Sequence, residues 1–98
     1  MLSQKEIIKK INEAVKTDPD KDYIQNIYLF GSHLHGDATE NSDIDLLFKP
    51  KKKMGYFKLF SIQSRLSNKI GKPVELLTKQ ELSKYFREKV IKEAKKVY

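Results

Sequence analysis

FGSHLHGDATENSDIDLLF, residues 30–48, is the stretch that decides the fold of this 98-residue chain. Turn-forming residues separate two apolar runs, so the stretch predicts a strand, a turn and a second strand. Asp43 and Asp45 flank Ile44 at the start of the second run. Successive side chains of a strand point to opposite faces, so the two carboxylates share one face and Ile44 lies on the other. The sequence therefore places two negative charges side by side on one strand.

Two carboxylates on one face need water, a partner or a cation, because burying unpaired like charges is very costly. Carboxylate oxygens are hard ligands that suit Mg2+ or Mn2+. One such pair can hold two metal ions roughly 3.5 to 4 Å apart, the arrangement used for in-line phosphoryl displacement. Alone, however, the tripeptide D-I-D indicates no more than an exposed strand end with solvated aspartates.

Gly31 and Ser32 end the first apolar run. A Gly-Ser turn lets backbone N–H groups approach a phosphate, and a helix beginning at Ser32 would favour an anion there. By themselves, Gly31, Ser32 and Gly36 are ordinary turn residues. His33 and His35 are expected to be loop residues that could contact a phosphate, since no second His or Cys cluster exists to complete a zinc site. The Gly-Ser turn followed by D-x-D is far more specific than either half.

Hydrophobic periodicity and capping signals predict the other elements. Ser3 and Glu6 have the spacing of a capping box, and Gly71 is placed as a helix C-cap. In chain order we predict a helix to about Lys16, a strand at 24–30, a helical turn after Ser32, a strand at 43–48, a helix at 56–70, a strand at 74–77 and a terminal helix opened by Thr78 and Glu81. Amphipathic helices against a sheet of at least three strands make an α+β or α/β layered domain.

The apolar side chains of the later helices are predicted to lie in the core, with a fraction available to a partner. The C-terminal helix is expected to present one apolar face, formed by Leu82, Phe86, Val90, Ala94 and Val97. The other residues assigned to the core on this basis are Phe57, Phe60 and Ile91.

Length and composition favour one soluble domain over residues 1–98, with 39% hydrophobic residues. The 20 Lys and Arg against 13 Asp and Glu give a net charge of +7, which favours nucleotides or an acidic protein as partners. Nucleic acid is disfavoured as a direct partner, because arginine and interleaved aromatic residues are scarce. Without cysteine, and with neither a targeting signal nor a membrane segment in the sequence, the expected location is the cytoplasm, away from membranes.

The motif closely resembles the G-S-x-x-x-G and S-D-x-D-L signature of nucleotidyltransferases with the DNA polymerase beta fold. The residues that carry the resemblance are Gly31, Ser32, Gly36 and the run Ser42, Asp43, Ile44, Asp45 and Leu46. The short chain resembles the minimal nucleotidyltransferase (MNT) branch, whose members are often antitoxins of HEPN-domain toxins. GKPVELLT at 71–78 resembles its third strand and IKEAKKVY at 91–98 its C-terminal ending. The resemblance implies an α+β fold with a small mixed sheet flanked by helices.

The resemblance also implies the roles of individual residues. The acids that would catalyse and bind two Mg2+ or Mn2+ ions are Asp43, Asp45 and Glu75. The residues that would contact the nucleotide, implied to be ATP, are Gly31, Ser32, His35, Gly36 and Ser42. Two positions depart from the family pattern, because the third acid is more commonly aspartate than glutamate and the position of His35 is often arginine. A histidine with a pKa of about 6.5 is mostly neutral at pH 7, so phosphate clamping there would be weaker.

Three functions remain open from the sequence. The resemblance implies transfer of AMP from ATP to a tyrosine hydroxyl of a HEPN toxin, which would silence the toxin. A second function is an antitoxin that neutralises its toxin by binding without catalysis. A third is nucleotidyl transfer to a small hydroxylated molecule or a nucleic-acid end, which the lack of a second domain disfavours unless a partner supplies the acceptor site.

Overall fold

The computed structural model describes residues 2–98 and confirms the α+β class. Its main elements are α1 (Gln4–Lys16), β1 (Ile24–Phe30), α2 (Ser32–His35), β2 (Ile44–Pro50), α3 (Tyr56–Ile70), β3 (Val74–Leu77), α4 (Lys84–Glu93) and β4 (Lys95–Lys96). Two short 3-10 helices lie at Lys21–Tyr23 and Lys79–Glu81. The capping box of Ser3 and Glu6 opens α1, and Gly71 caps α3 with a φ of 81°, both as predicted.

The four strands form one mixed sheet in the order β3-β2-β1-β4. β1 runs antiparallel to β2 and to β4, while β3 runs parallel to β2. The parallel pair requires a crossover connection, and α3 provides it. β1 ends and β2 begins at the same edge of the sheet, so the Gly-Ser turn and the D-x-D motif meet there.

One face of the sheet is covered by α1 and α3 and forms the hydrophobic core, which we call the core face. Alternation along β1, β2 and β3 sends purely aliphatic and aromatic side chains to it. The helices contribute apolar residues at 3.6-residue spacing, including Ile7 and Ile11 from α1 and Ile62 and Leu66 from α3. The strand residues buried with them include Ile27, Leu29, Ile44, Leu46, Phe48, Val74 and Leu76.

Polar contacts fix α3 relative to the sheet and to the end of α1. Gln63 Oε1 accepts a hydrogen bond of 2.9 Å from the N–H of Leu76, so α3 satisfies part of the outer edge of β3. Asp18, which is buried, accepts two hydrogen bonds from the guanidinium of Arg65, at 2.8 and 3.1 Å. Pairing of this kind is what allows a carboxylate to be buried.

The opposite face, which we call the open face, carries Tyr28, Phe30, Asp45, Leu47 and Glu75. α4 crosses this face, and none of its ten residues is buried. Because a helix usually gains its stability from packing an apolar face, α4 is weakly anchored compared with α1 and α3.

The C-terminal part departs from the sequence-based expectation. The capping box of Thr78 and Glu81 forms, but it opens only the 3-10 helix, because Leu82 adopts an extended conformation at φ −74° and ψ 137° and stops helical growth. The long helix begins one turn later, with Ser83 as N-cap. The chain then forms β4, a strand that was not predicted and that pairs with β1 through Tyr28 and Leu29.

Four side chains assigned to the core are exposed, so that prediction was wrong. Their exposed fractions are 89% for Phe57, 51% for Phe60, 62% for Phe86 and 42% for Ile91. The sheet is too small to cover every apolar residue of α3 and α4, and the buried positions of α3 are taken by Ile62, Leu66 and Ile70. Leu82 and Val97 of the predicted terminal stripe are buried. Within residues 2–98, no helix is both long and apolar enough to cross a bilayer.

Candidate functional site

The carboxylates of the motif lie on the open face at the edge where β1 ends. Asp45 is the second residue of β2 and pairs in register with Glu75 of the parallel strand β3 and with Phe30 of β1. Residues opposite one another in a sheet project from the same face, so Glu75 lies beside Asp45. Asp43 precedes β2 by one residue and is exposed. The structure thus brings the three predicted acids to one edge of the open face.

Gly31 joins this acidic edge to the turn. Its φ of 77° and ψ of −155° lie in a region essentially limited to glycine. A Cβ atom at this position would lie 3.1 Å from both Cβ and Cγ of Asp45 and would collide with the carboxylate Oδ2. The absence of a side chain therefore lets the Asp45 carboxylate lie directly against the backbone of the Gly-Ser turn. Ser32 then starts α2, the helical turn expected after it.

The electrostatic environment of Asp45 is unfavourable for its charge. Partial burial, the nearby carboxylate of Glu75 and that of Asp43 together raise the pKa of Asp45 above its ordinary value, while His33 opposes the rise. Within residues 2–98, no side-chain hydrogen bond or ion pair reaches the carboxylates of Asp43, Asp45 or Glu75. An unpaired, half-buried carboxylate with two acidic neighbours is suited to a cation.

The donor set fits a hard divalent cation, because all three side chains offer carboxylate oxygens of the kind that Mg2+ prefers. As they stand, however, no three His, Asp or Glu side chains of the described chain converge closely enough to form a ligand group. Glu75 is exposed on β3, the outermost strand of the sheet, so its side chain is also in a position typical of a solvent-facing residue.

The two histidines of the turn have different surroundings, which the sequence did not separate. His33 is buried, with 6% of its surface exposed, and its Nε2 lies 3.3 Å from the carbonyl oxygen of Ser42. This contact ties α2 to the loop that leads into β2, so His33 has a structural role. Both histidines lie in α2, so the expectation that they are loop residues was wrong. His35 is exposed, and its Nε2 lies 3.2 Å from a carboxylate oxygen of Glu93 on α4.

Ser42 and Gly36, both predicted to contact the nucleotide, shape the loop between α2 and β2. The Ser42 hydroxyl accepts a hydrogen bond of 2.9 Å from the N–H of Thr39, while its own N–H donates to the Thr39 carbonyl. Gly36 caps α2 in the left-handed conformation at a φ of 80°. Ser42 therefore stabilises the loop between α2 and β2, and Gly36 ends α2.

Two clefts open beside the acids. One, of about 360 Å3, lies between α2 and α4 and reaches Gly31. The other, of about 390 Å3, is lined by Asp43 and Glu75 together with the exposed aromatic rings of Tyr56 and Phe60 at the start of α3. The acidic edge thus stands between an apolar cleft under α4 and a more polar cleft beside α3.

The known proteins that this chain resembles are described as nucleotidyltransferases or protein adenylyltransferases. The family model described as Polymerase beta, Nucleotidyltransferase matches residues 9–98. A Methanocaldococcus jannaschii protein, provisionally named a protein adenylyltransferase, is 32% identical over 89 residues, which cover 91% of this chain and 88% of that protein. The protein adenylyltransferase MntA of Thermococcus cleftensis is 27% identical over 93 residues, covering 95% of this chain and 94% of the relative.

Solved structures share the fold. A protein provisionally described as a minimal nucleotidyltransferase superposes with a TM-score of 0.77 at 25% identity, covering 95% of this chain and 94% of its own. A chain of a toxin–antitoxin complex with AMP-PNP superposes with a TM-score of 0.73 at 24% identity, covering 93% of this chain and 72% of its own. A chain of the complex between tri-AMPylated Shewanella oneidensis HEPN toxin and MNT antitoxin superposes with a TM-score of 0.67 at 21% identity, covering 97% of this chain and 71% of its own. The latter two likenesses establish the fold alone.

Proposed function

Because the chain belongs to the polymerase beta nucleotidyltransferase family, we propose that it transfers AMP from ATP to a tyrosine hydroxyl of a partner HEPN-domain toxin and thereby acts as its antitoxin. The observation that carries this proposal is the position of the Asp45 carboxylate directly against Gly31, which joins the acidic edge to the Gly-Ser turn. A protein as acceptor is supported by the names of the relatives and by the AMPylated toxin found with a protein of this fold.

The Gly-Ser turn would hold the phosphates of the nucleotide. The first N–H groups of a helix have no acceptor within it, and in residues 2–98 no turn or loop hydrogen bond engages the N–H of Ser32 or His33. These N–H groups and the Ser32 hydroxyl are available as donors to phosphate oxygens. Gly31 contributes by letting the Asp45 carboxylate lie against the turn, so that an ion held by Asp45 would be close to the phosphates.

Asp43, Asp45 and Glu75 would hold the Mg2+ ions that accompany a nucleoside triphosphate. When bound, the ions supply neutralisation of the phosphate charges and of the charge that develops on the leaving group. Asp45 is the residue best prepared for this role, because partial burial and two acidic neighbours already disfavour its uncompensated charge. Asp43 and Glu75, which are exposed, would turn toward Asp45 with little loss of packing.

In the proposed reaction, the acceptor oxygen forms a bond to the alpha phosphorus while the bond from that phosphorus to the bridging oxygen breaks. Pyrophosphate leaves with the electron pair of the broken bond. The proton of the acceptor hydroxyl would pass to the carboxylate oxygen of Glu75 that does not hold an ion. Glu75 lines the cleft that contains Tyr56 and Phe60. The protein contributes mainly by holding the phosphates on the Gly-Ser turn and the acceptor oxygen in line with the bond that breaks.

Incubation with ATP labelled at the alpha phosphate, with Mg2+ and with the protein encoded beside this chain tests the proposal. We expect label on the neighbouring protein, its loss with Asp43→Asn and its persistence with Glu88→Gln, which changes an exposed carboxylate of α4 outside both clefts. Transfer of label that survives Asp43→Asn would contradict the assignment of the site.

Neutralisation by binding alone is the second candidate, favoured by the absence of a converged group of three acids in the described chain. The same variant separates the two functions. If the toxin is inhibited equally by the wild type and by Asp43→Asn, without label on the toxin, the chain acts by contact. If inhibition disappears together with the label, transfer is the function.

A further inference from the structure

The cleft between α2 and α4 shares Gly31 with the phosphate turn and is lined by none of the three acids. It has a volume of about 360 Å3 and is lined by apolar side chains, among them Phe30, Phe86 and Val90, and also by the charged residues Glu81, Lys89 and Glu93. Small-molecule sites are commonly clefts of roughly 300–1,000 Å3 with apolar walls and a few polar groups. The cleft is therefore large enough for part of a small ligand, and its walls suit a flat, weakly polar group.

The position of the cleft connects it to the site. Phe30 lines the cleft and pairs in register with Asp45, so the two side chains are neighbours on the open face. Gly31, which touches the Asp45 carboxylate, lies at the mouth of the same cleft. A nucleotide whose phosphates lie on the Gly-Ser turn could place its nucleoside, which is attached to the alpha phosphate, in this cleft.

Phe86 supplies the surface on which a base could stack. Its ring lines the cleft and remains 62% exposed, on a helix with no buried residue. Packing of the fold therefore does not account for an aromatic residue at this position. Aromatic side chains stack on nucleobases with little sequence preference, because every base has a π face.

Polar groups at the rim can recognise the edge of a base. Ser83 is the N-cap of α4, but its side chain makes no capping hydrogen bond, so its hydroxyl stays available at the cleft. At the other end, His35 of α2 and Glu93 of α4 are 3.2 Å apart and join the two helices that form the walls. The cleft thus combines apolar walls with polar groups from α2 and from both ends of α4.

We propose that the cleft between α2 and α4 binds the nucleobase of the nucleoside triphosphate, with the base stacked on Phe86 and its edge facing Ser83. This inference rests on the proposed function and extends it, because it assigns base binding to the helix that contributes least to the core. A purine stacks over a larger area than a pyrimidine, so the cleft should favour ATP over CTP.

Affinity measurements with two ligands, one with a base and one without, test the proposal. We expect Phe86→Ala to weaken binding of a nonhydrolysable ATP analogue, measured by calorimetry with Mg2+, by about tenfold. Binding of inorganic tripolyphosphate should be unchanged, since that ligand has no base. Tyr85→Ala, which removes a 95% exposed ring from the adjacent position, is the matched control and should leave both affinities unchanged.

The chain contains no tryptophan, which allows a direct optical readout. Phe86→Trp should retain binding, and its fluorescence should change on addition of the ATP analogue but not of tripolyphosphate. Tyr85→Trp should show no such change. Because Phe86→Trp keeps an aromatic ring at position 86, it also distinguishes lost stacking from a misfolded α4.

The outcomes separate the two proposals. Equal affinity of Phe86→Ala and wild type for the analogue, or equal losses for the analogue and tripolyphosphate, overturns the nucleobase cleft while the proposed transfer stands. Failure of the wild-type protein to bind either ligand with Mg2+ overturns both. A fluorescence change at Tyr85→Trp equal to that at Phe86→Trp would also contradict the assignment.

Discussion

The two faces of the sheet differ in what they contribute. The core face presents residues such as Ile27, Leu29 and Leu46, none of which exposes measurable surface. The open face presents Asp45 and Glu75 on adjacent strands and is crossed by a helix without a buried residue. One face therefore supplies the hydrophobic stabilisation of the domain, while the other holds groups whose burial opposes folding. A thin sheet can serve both purposes because its side chains alternate between faces.

The comparison suggests that stability and chemistry can be altered separately in this domain. Changes on the core face should alter unfolding, and changes on the open face should alter transfer with little cost to the fold. Gly31 is the exception, because it is constrained both by its backbone conformation and by its contact with Asp45.

The largest effect is expected from Asp45→Asn, which removes the charge but keeps the shape of the side chain. Loss of one group that stabilises charge in a transition state typically lowers the rate by about 10²–10³-fold, and we expect AMP transfer to fall by at least this factor. The measurement is label transfer under single-turnover conditions. A variant that retains more than a tenth of the wild-type rate would show that Asp45 is not central to the site.

Next in size is the contrast between Leu66→Ala and Tyr85→Ala. Leu66 is completely buried on the core face, so its truncation should lower the free energy of unfolding by about 2–5 kcal/mol. Tyr85 is 95% exposed on α4, and its truncation should change that free energy by less than about 0.5 kcal/mol. Urea denaturation measures both. Similar losses would show that α4 stabilises the domain as strongly as α3.

Gly31→Ala tests the contact between the turn and the acid. Backbone strain at this conformation should lower the free energy of unfolding by about 1–3 kcal/mol, and the displaced Asp45 carboxylate should lower transfer as well. Gly71→Ala is the control, because its φ of 81° also requires glycine but a Cβ atom would meet nothing within 4 Å. It should be destabilised without loss of transfer by the folded protein. Equal transfer by the two folded variants would contradict the role assigned to Gly31.

The smallest effect concerns the pH dependence of stability without divalent ions. The pKa of Asp45 is raised in the folded protein above its ordinary value of 3.8, so ionisation of this group opposes folding. In EDTA at pH 7, Asp45→Asn should therefore be more stable than the wild type, on the order of 0.5 kcal/mol. The difference should shrink as the pH falls through the raised pKa toward 3.8, because Asp45 is then protonated in the folded state. If the stability difference between Asp45→Asn and the wild type instead grew toward low pH, the expected sign of the pH dependence would be wrong.

Much of the fold followed from local patterns. β1 at Ile24–Phe30 and α3 at Tyr56–Ile70 have the predicted bounds, and β3 begins and ends where expected. Helical and strand periods are set by short-range geometry, and glycine caps such as Gly71 mark the ends of helices. The placement of Asp43 and Asp45 beside the Gly-Ser turn followed from the same local rules, strengthened by the family signature.

Other features depended on the packing of distant segments. A capping box at Thr78 opened a 3-10 helix instead of α4, because capping spacing indicates a helix start but not its length. The exposure of Phe57 and Phe86 could not be predicted from helical spacing, which identifies an apolar side chain but not whether a partner covers it. The predicted terminal stripe counted Val97 as a helical residue, whereas the chain leaves the helix and forms β4 before Val97.

Sequence alone determined that Ile44 and Asp45 point to opposite sides of a strand next to a Gly-Ser turn, because alternation along a strand is a property of its own backbone. Only the tertiary structure decided that Glu75 lies beside Asp45, that His33 is buried against the loop and that α4 forms a cleft over Phe30. These relationships depend on the parallel register of β2 and β3 and on the docking of α2 and α4. Both arise from contacts between residues far apart in the chain, which no local pattern specifies.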